Sequence, residues 1–334
     1  MYDLVIIGAA AAGCSAAIYG ARRNLNQIIV TKDIGGEVAL SGVVNNWPGQ
    51  IETNGFKLAQ DMINHVKAYN VPIDTGYWIT NIKAEKKHHI ITARDADGKE
   101  KIYKTKAVLV ASGIHPRTLN IPGEKELRGK GVTYCTTCDG PLFRGKTTVT
   151  IGAGNAGLES ALMMAGIAKK LYLITRYPNN KESKGGFPKG EDILIEKVKA
   201  LPNIEIIYNA DTKEILGKEN VTGLKYLDTA KNKIKAIAVA GVMVHVGMLP
   251  NSEFVTCGKK NALGEIEVNI KCQTDCPGLF AAGDVTNIPF KQIAISAGHG
   301  VTAALSAIEY INKWSERHSE LHPESAAADE GSIS

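Results

Sequence analysis

Near its start the chain reads Asp3-Leu4-Val5-Ile6-Ile7-Gly8-Ala9-Ala10-Ala11-Ala12-Gly13, and the pattern returns as Thr148-Val149-Thr150-Ile151-Gly152-Ala153-Gly154-Asn155-Ala156-Gly157. Each copy is a short β-branched run, a small-residue turn and an alanine-rich stretch, predicted helical at about 14–23 and 157–167. A second apolar run follows each, Gln27 to Thr31 and Lys170 to Thr175. Strand, glycine turn, helix and strand make a βαβ unit, so two copies imply two dinucleotide folds in one α/β chain. Such a turn binds pyrophosphate because backbone N–H groups and the helix dipole meet the anion where glycine lets it approach. The alternative is plain helix–strand packing, and the strand before and helix after each turn favour the nucleotide. Ala10 stands where the middle glycine of the first turn is usual, so a methyl crowds that site.

Between the copies, residues 78 to 109 alternate like strands and turn at Asp97-Gly98, which predicts a small antiparallel meander. Val108-Leu109-Val110-Ala111-Ser112-Gly113 and Leu279-Phe280-Ala281-Ala282-Gly283-Asp284 read as strands ending in glycine turns. A helix from Ala297 to Trp314 is expected to close the fold, with a disordered tail over 318–334.

The length suits roughly two domains. A net charge of +5 with scattered lysines is too weak a bias for nucleic acid or an acidic membrane surface. No apolar run reaches the ~20 residues that cross a bilayer. Leu4 to Ala12 has no basic leader and runs into a glycine turn, so the expected location is the cytoplasm. Six cysteines over this length do not make a disulfide scaffold.

Cys135-Thr136-Thr137-Cys138 has three readings. A structural zinc site needs four ligands, and Cys272 and Cys276 lie beside a different strand. Two inert thiols are the second reading. The third, a redox dithiol, is favoured because a CxxC pair forms a disulfide and lowers one thiol's pKa. Asp139 adds either a carboxylate that moves protons during exchange or a turn cap. Cys14, Cys257, Cys272 and Cys276 are expected to be packing or surface thiols. His299 is placed at the opening of the last helix, as a cap or packing residue, and no chemistry is assigned to His115 or His245.

With Asp139-Gly140 after it and the second glycine turn just beyond, the CxxC segment resembles that of the low-molecular-weight thioredoxin reductase family. The likeness runs from residue 2 to about 315 and includes Gly35-Gly36-Glu37, Asn46-Trp47-Pro48-Gly49, Ala111-Ser112-Gly113, Gly247-Met248-Leu249-Pro250-Asn251 and Ala281-Ala282-Gly283-Asp284. Gly140-Pro141-Leu142-Phe143 and Lys291-Gln292-Ile293 resemble in particular the flavoprotein component of alkyl hydroperoxide reductase. That relative carries an extra N-terminal thioredoxin-like region, so a chain beginning at the first turn is expected to need a separate dithiol partner.

The resemblance implies two Rossmann-like domains of three-layer ββα type. FAD would take residues 1–113 and 247–316, a discontinuous domain, and NAD(P)H residues 117–244, which carry the CxxC. Gly8, Ala10, Ala11, Ala12, Gly13, Gly35, Gly36, Glu37, Asn46, Ala111, Gly113, Gly283, Asp284, Lys291, Gln292 and Ile293 would hold FAD. Gly152, Gly154, Asn155, Ala156, Gly157, Arg176, Lys181 and Gly247 would hold the nicotinamide dinucleotide. Cys138 would contact the flavin, Cys135 would attack the disulfide of a thioredoxin-like partner, and Asp139 would act as acid and base. The family is a homodimer in which the nucleotide domain rotates on hinges at Gly113-Ile114-His115-Pro116 and His245-Val246-Gly247.

At the nicotinamide turn the sequence departs from the family's NADPH pattern. The strand end reads Thr175-Arg176-Tyr177, with Lys181 further on, and 179–190 is long and rich in Gly and Lys. Arg176 and Lys181 suit a 2′-phosphate, and no acid sits at the strand end to accept from a ribose hydroxyl, which favours NADPH over NADH. An NADH-linked peroxiredoxin-system reductase, a reductase fed by ferredoxin and a flavin redox sensor without turnover stay open.

Overall fold

A computed structural model describes residues 1–41 and 43–314, leaving aside the side chains of Val43 and Cys138; the tail expected over 318–334 lies outside the described residues. The chain divides into two units. The first is built on Met1–Leu40, Val44–His115 and the chain from Leu249, the second on Pro116–Met248.

The first unit begins with β1 (Tyr2–Ala9), α1 (Ala11–Ala21) and β2 (Gln27–Ile34), followed by the short α2 (Gly36–Ala39) and a two-stranded pair, β3 (Val43–Val44) and β4 (Thr53–Asn54). Asn54 caps α3 (Gly55–Ala68) by accepting from the Lys57 N–H at 2.8 Å, a contribution of about 1 kcal/mol. β5 (Ile73–Thr75) then joins the sheet edge. β6 (Trp78–Ala84), β7 (His89–Arg94) and β8 (Glu100–Val110) form the antiparallel meander. β8 is longer than the meander needs, and its second half pairs in parallel with β1. One strand thus serves both the meander and the central sheet, ordered β5-β2-β1-β8-β7-β6. β9 (Ile114–Pro116) leaves the unit.

In the second unit β10 (Val132–Thr133) leads into α4 (Thr136–Asp139), a single turn that the CxxC runs into. β11 (Thr147–Ile151), α5 (Asn155–Ala165), β12 (Lys170–Ile174), α6 (Asp192–Ala200) and β13 (Ile204–Ile207) repeat the βαβ pattern. An antiparallel meander, β14 (Ala210–Gly217), β15 (Val221–Asp228) and β16 (Lys233–Ala238), precedes β17 (Gly241–Val244), which inserts beside β11. The parallel order is β10-β17-β11-β12-β13. β18 (Met248–Pro250) pairs with β9 on the return. The first unit is completed by β19 (Leu279–Ala281), parallel to β8, and α7 (Ile293–Asn312), which starts four residues earlier than the sequence predicts.

The strand sequences explain both three-layer arrangements. In β1, Leu4 and Ile6 point to a core shared with α1, α3 and α7, through Ala16, Ile63, Val66 and Ala304. Val5 and Ile7 point to the opposite core, with Ile82, Ile91 and Tyr103 of the meander. A strand buried on both faces has no polar side to alternate, which is why β1 reads as a continuous apolar run. In the second unit Val149 and Ile151 meet Leu224 and Tyr226 of the second meander, while Leu171 and Leu173 meet Leu158, Met164 and Val198 of α5 and α6. Each such side chain, fully buried, contributes about 1.5–3 kcal/mol.

One cysteine expectation is corrected. Cys257 and Cys276 are joined by a disulfide, with Cα atoms 5.8 Å apart, rather than being separate packing thiols. They lie near the two ends of the long connection between β18 and β19, which folds back on itself and brings their Cβ atoms together. Cys276 is therefore committed and offers no ligand for a shared zinc site. Cys14 and Cys272 are buried free thiols, as expected, and burial pushes both up to about 12.

Candidate functional site

The first glycine turn leaves backbone donors that fit an anion. α1 starts at Ala10 in extended conformation, with no side-chain cap and no acidic residue in its first turn, so its leading N–H groups are left to a ligand. A Cβ on Gly13 would overlap the Gly8 carbonyl, so this glycine lets helix and strand approach. The Gly35 N–H donates to the Ala9 carbonyl at 2.8 Å, which sets Gly35, Gly36 and Glu37 beside the turn. A Cβ on Gly36 would find only the Ala10 methyl, at 3.8 Å, leaving an open cradle between the two loops. The Ala10 methyl thus faces that gap.

The remaining predicted flavin residues gather at the same end of this unit's sheet. Ala111 donates its N–H to Ile7 at 2.8 Å, and around Gly113 a Cβ would meet nothing within 4 Å. Asn251 accepts from the Ser112 hydroxyl through its carbonyl at 2.6 Å and donates its amide to the Ser112 carbonyl at 2.7 Å, fixing that strand end. Asp284 accepts from the Ser296 hydroxyl at 2.7 Å; burial raises its pKa, opposed by that hydroxyl and by Lys291. The Lys291 ammonium is held by Glu265 at 2.8 Å and by the Thr286 carbonyl at 2.6 Å, so it braces the loop ahead of α7. Asn46 donates to Gln292 at 3.3 Å, and Ile293 begins α7. The uncapped helix and the open cradle fit a dinucleotide such as FAD.

His299 does not open α7; it is the seventh residue of that helix. Its Nδ1 accepts the Gly283 N–H at 3.0 Å, and burial, then Lys291, lowers its pKa. The ring caps a backbone group of the Gly283-Asp284 turn, in keeping with the expected cap or packing role, though from within the helix and not from its opening.

The second turn repeats the design. α5 starts at Gly154, extended, with no side-chain cap and no acid in its first turn. A Cβ on Gly152 would sit 2.5 Å from the His245 carbonyl and 3.3 Å from Gly157, so these glycines close the helix onto two strands. The long segment after β12 returns to the turn. Phe187 is fully buried beneath it, Lys189 pairs with Gly154, and Asn155 and Glu191 exchange two hydrogen bonds of 2.6 and 2.8 Å. Arg176 and Lys181 are exposed. Lys189 is a cation the sequence reading passed over; its signal was distance from the strand end, and only the fold-back of 178–191 brings it to the turn.

The CxxC runs into α4, with Cys135 just ahead of its first residue. Cys135 is disulfide-bonded, its N–H donates to the Thr133 hydroxyl at 3.0 Å, and the Asp139 N–H donates to its carbonyl at 3.1 Å. Cys138 follows on the same turn, and its side chain lies outside the described residues. Asp139 borders a cleft of about 430 Å³ that is also lined by Lys130, Thr133, Leu142 and Lys146. Thr136, between the cysteines, is buried against Ser160 and His245.

Among the described residues, no helix is long and apolar enough to cross a membrane. A family model described as pyridine nucleotide-disulphide oxidoreductase matches residues 2–304. The F component of alkyl hydroperoxide reductase from Escherichia coli (strain K12) is 38% identical over 316 residues, 93% of this chain and 58% of that protein. A protein named NADH dehydrogenase from Ferdinandcohnia aciditolerans is 37% identical over 311 residues, covering 93% and 57%. The chain thus spans less than two thirds of these relatives' length. Among solved structures, thioredoxin reductase of T. acidophilum is 36% identical with a TM-score of 0.70, covering 92% of this chain and 98% of that one. Thioredoxin reductase of Lactococcus lactis is 28% identical with a TM-score of 0.73, covering 94% and 100%. Two glycine turns on two three-layer units, a CxxC ahead of the second turn and these likenesses lead to one conclusion: the chain is an oxidoreductase of the pyridine nucleotide-disulphide oxidoreductase family, structurally akin to the low-molecular-weight thioredoxin reductases.

Proposed function

We propose that this protein passes electrons from NADPH through FAD and the Cys135-Cys138 dithiol to the disulfide of a thioredoxin-like protein, working as a homodimer. The observation that carries the reading is the placement of the CxxC: it occupies a turn of the dinucleotide unit itself, and Cys135 is disulfide-bonded there. FAD, when bound, supplies a two-electron carrier between nicotinamide and disulfide. The first-turn N–H groups of α1 and the Gly36 loop would hold its phosphates, Asp284 would bind its ribityl or phosphate region, and Asn46, Gln292 and Ile293 would lie near its ring.

Reduction of the partner needs only the chain's own sulfurs. The Cys135 thiolate attacks one sulfur of the partner disulfide, releasing the other as a thiolate. Cys138 then attacks Cys135 in the mixed disulfide, restoring the CxxC disulfide and freeing the second partner sulfur. Asp139, beside an open cleft with Lys130 and Lys146 on its rim, delivers the proton to a leaving thiolate. Exposed Leu40, Ile51 and Phe56 on the first unit supply apolar surface for a second copy.

A second reading, a donor other than a nicotinamide, is favoured by one observation. Glu191 brings a carboxylate to Asn155, at the start of α5, where a pyrophosphate has to approach. Anaerobic titration of the flavin absorbance with NADPH, then NADH, then a reduced ferredoxin decides between them. Bleaching by NADPH, with thioredoxin-linked turnover lost in Cys138→Ser, supports the proposal. Full turnover in that variant refutes the dithiol assignment, and bleaching by ferredoxin alone establishes the second reading.

A further inference from the structure

Behind the CxxC turn runs a row of buried hydroxyls that ends on a histidine. Thr136, the neighbour of Cys135, is 5% exposed; its Oγ1 lies 2.6 Å from Ser160 Oγ and 2.8 Å from His245 Nε2. Ser160, on α5, is in turn 3.3 Å from the Thr150 hydroxyl on β11. All three hydroxyls are dry, so each missing partner would leave an unsatisfied polar group where water does not reach.

His245 joins this row to the second glycine turn. It follows β17 directly, its N–H donates to the Ile151 carbonyl at 2.8 Å, and its own carbonyl is the atom against which Gly152 packs. On its other side the ring reaches the residue between the two cysteines. Burial keeps the imidazole neutral, so it offers one N–H and one lone pair and puts no charge behind the dithiol.

We propose that His245 is a positioning residue for the Cys135-Cys138 dithiol, holding the CxxC turn through Thr136 and Ser160 against the second dinucleotide turn. The proposal rests on the reading of the CxxC as the working dithiol. Its physical basis is preorganisation. Two cysteines close a disulfide more readily when the backbone between them is already fixed, because less freedom is lost on closure. Thr133 fixes the Cys135 N–H from one side, and Thr136 fixes the turn from the other.

The test equilibrates the full chain with glutathione. One Cys135-Cys138 disulfide and two glutathione thiols give one dithiol and one glutathione disulfide, so electrons and protons balance. Alkylation and peptide mass count the two forms and separate them from Cys257 and Cys276. His245→Leu and Thr136→Val are each expected to lower the disulfide-to-dithiol ratio about threefold to tenfold, the factor for one buried hydrogen bond. His245→Gln, which keeps a donor and an acceptor, is expected to restore the wild-type ratio, and FAD retention is expected to be equal in all three. Wild-type ratios in both Leu and Val variants overturn the proposal, as does a Gln variant as impaired as Leu. If His245→Leu does not fold, Thr136→Val decides alone. A wild-type chain that shows no exchange at Cys135 and Cys138 overturns the dithiol reading itself, and the role of His245 with it.

Discussion

The side-chain amide of Asn46 donates to Oε1 of Gln292 at 3.3 Å, across 246 positions of sequence. Two residues matched to the flavin ring by motif alone are thus neighbours. Gln292→Ala is expected to weaken FAD retention by about threefold to tenfold, read as free-flavin fluorescence after gel filtration. The coupling between Asn46→Ala and Gln292→Ala in chain stability is expected to stay under about 1 kcal/mol, since the pair is exposed.

The Cys257–Cys276 crosslink spans 19 positions, and a closure of that length constrains the unfolded chain by about 3 kcal/mol. The double variant Cys257→Ser/Cys276→Ser is expected to lose stability of that order in urea melts. Its CxxC is expected to titrate as in the wild type, because the crosslink belongs to the other unit.

His245 predicts a pH dependence. Its pKa is about 4 in the folded chain against 6.5 unfolded, with burial as the cause. Between these values the unfolded state binds a proton that the folded state does not, so stability falls as pH drops from about 6.5 toward 4, by about 3 kcal/mol in total. His89, also lowered by burial, adds in the same direction. Urea melts across this range should show a shallower slope in His245→Gln.

At the second turn, Lys189→Ala is expected to weaken NADPH binding about threefold to tenfold and to leave NADH binding unchanged, because a 2′-phosphate alone needs the extra cation. Isothermal titration with the two dinucleotides checks this. Equal losses for both would place Lys189 on the shared pyrophosphate instead.

The two βαβ units and their glycine turns were legible because strand, turn and helix lie within some twenty residues and each step has a local cause. Ser112 and Asn251, or Asn46 and Gln292, were reachable only through family likeness, since nothing local joins residues so far apart. His245 is placed by the sequence in a hinge with no chemistry assigned, and its contact with Thr136 is not legible there. Its partner Thr136 sits in a motif whose cysteines draw attention, and the contact exists because β17 inserts beside β11 after a whole meander has intervened. Lys189 and the Cys257–Cys276 pair escaped for the same reason: each depends on a loop folding back over many residues. The start of α7 is not legible in the sequence because Gln292, the residue before it, makes no side-chain cap hydrogen bond.

The crosslink in the first unit has a practical side. A chemist who adds strong thiol to reduce the CxxC treats two sulfur–sulfur bonds at once, one proposed to cycle and one that fastens the connection leading to Gly283 and Asp284. The reagent that opens the CxxC disulfide therefore also releases a crosslink of the first unit. Preparations kept in excess reductant and preparations kept without it are expected to differ in heat tolerance while agreeing in sequence.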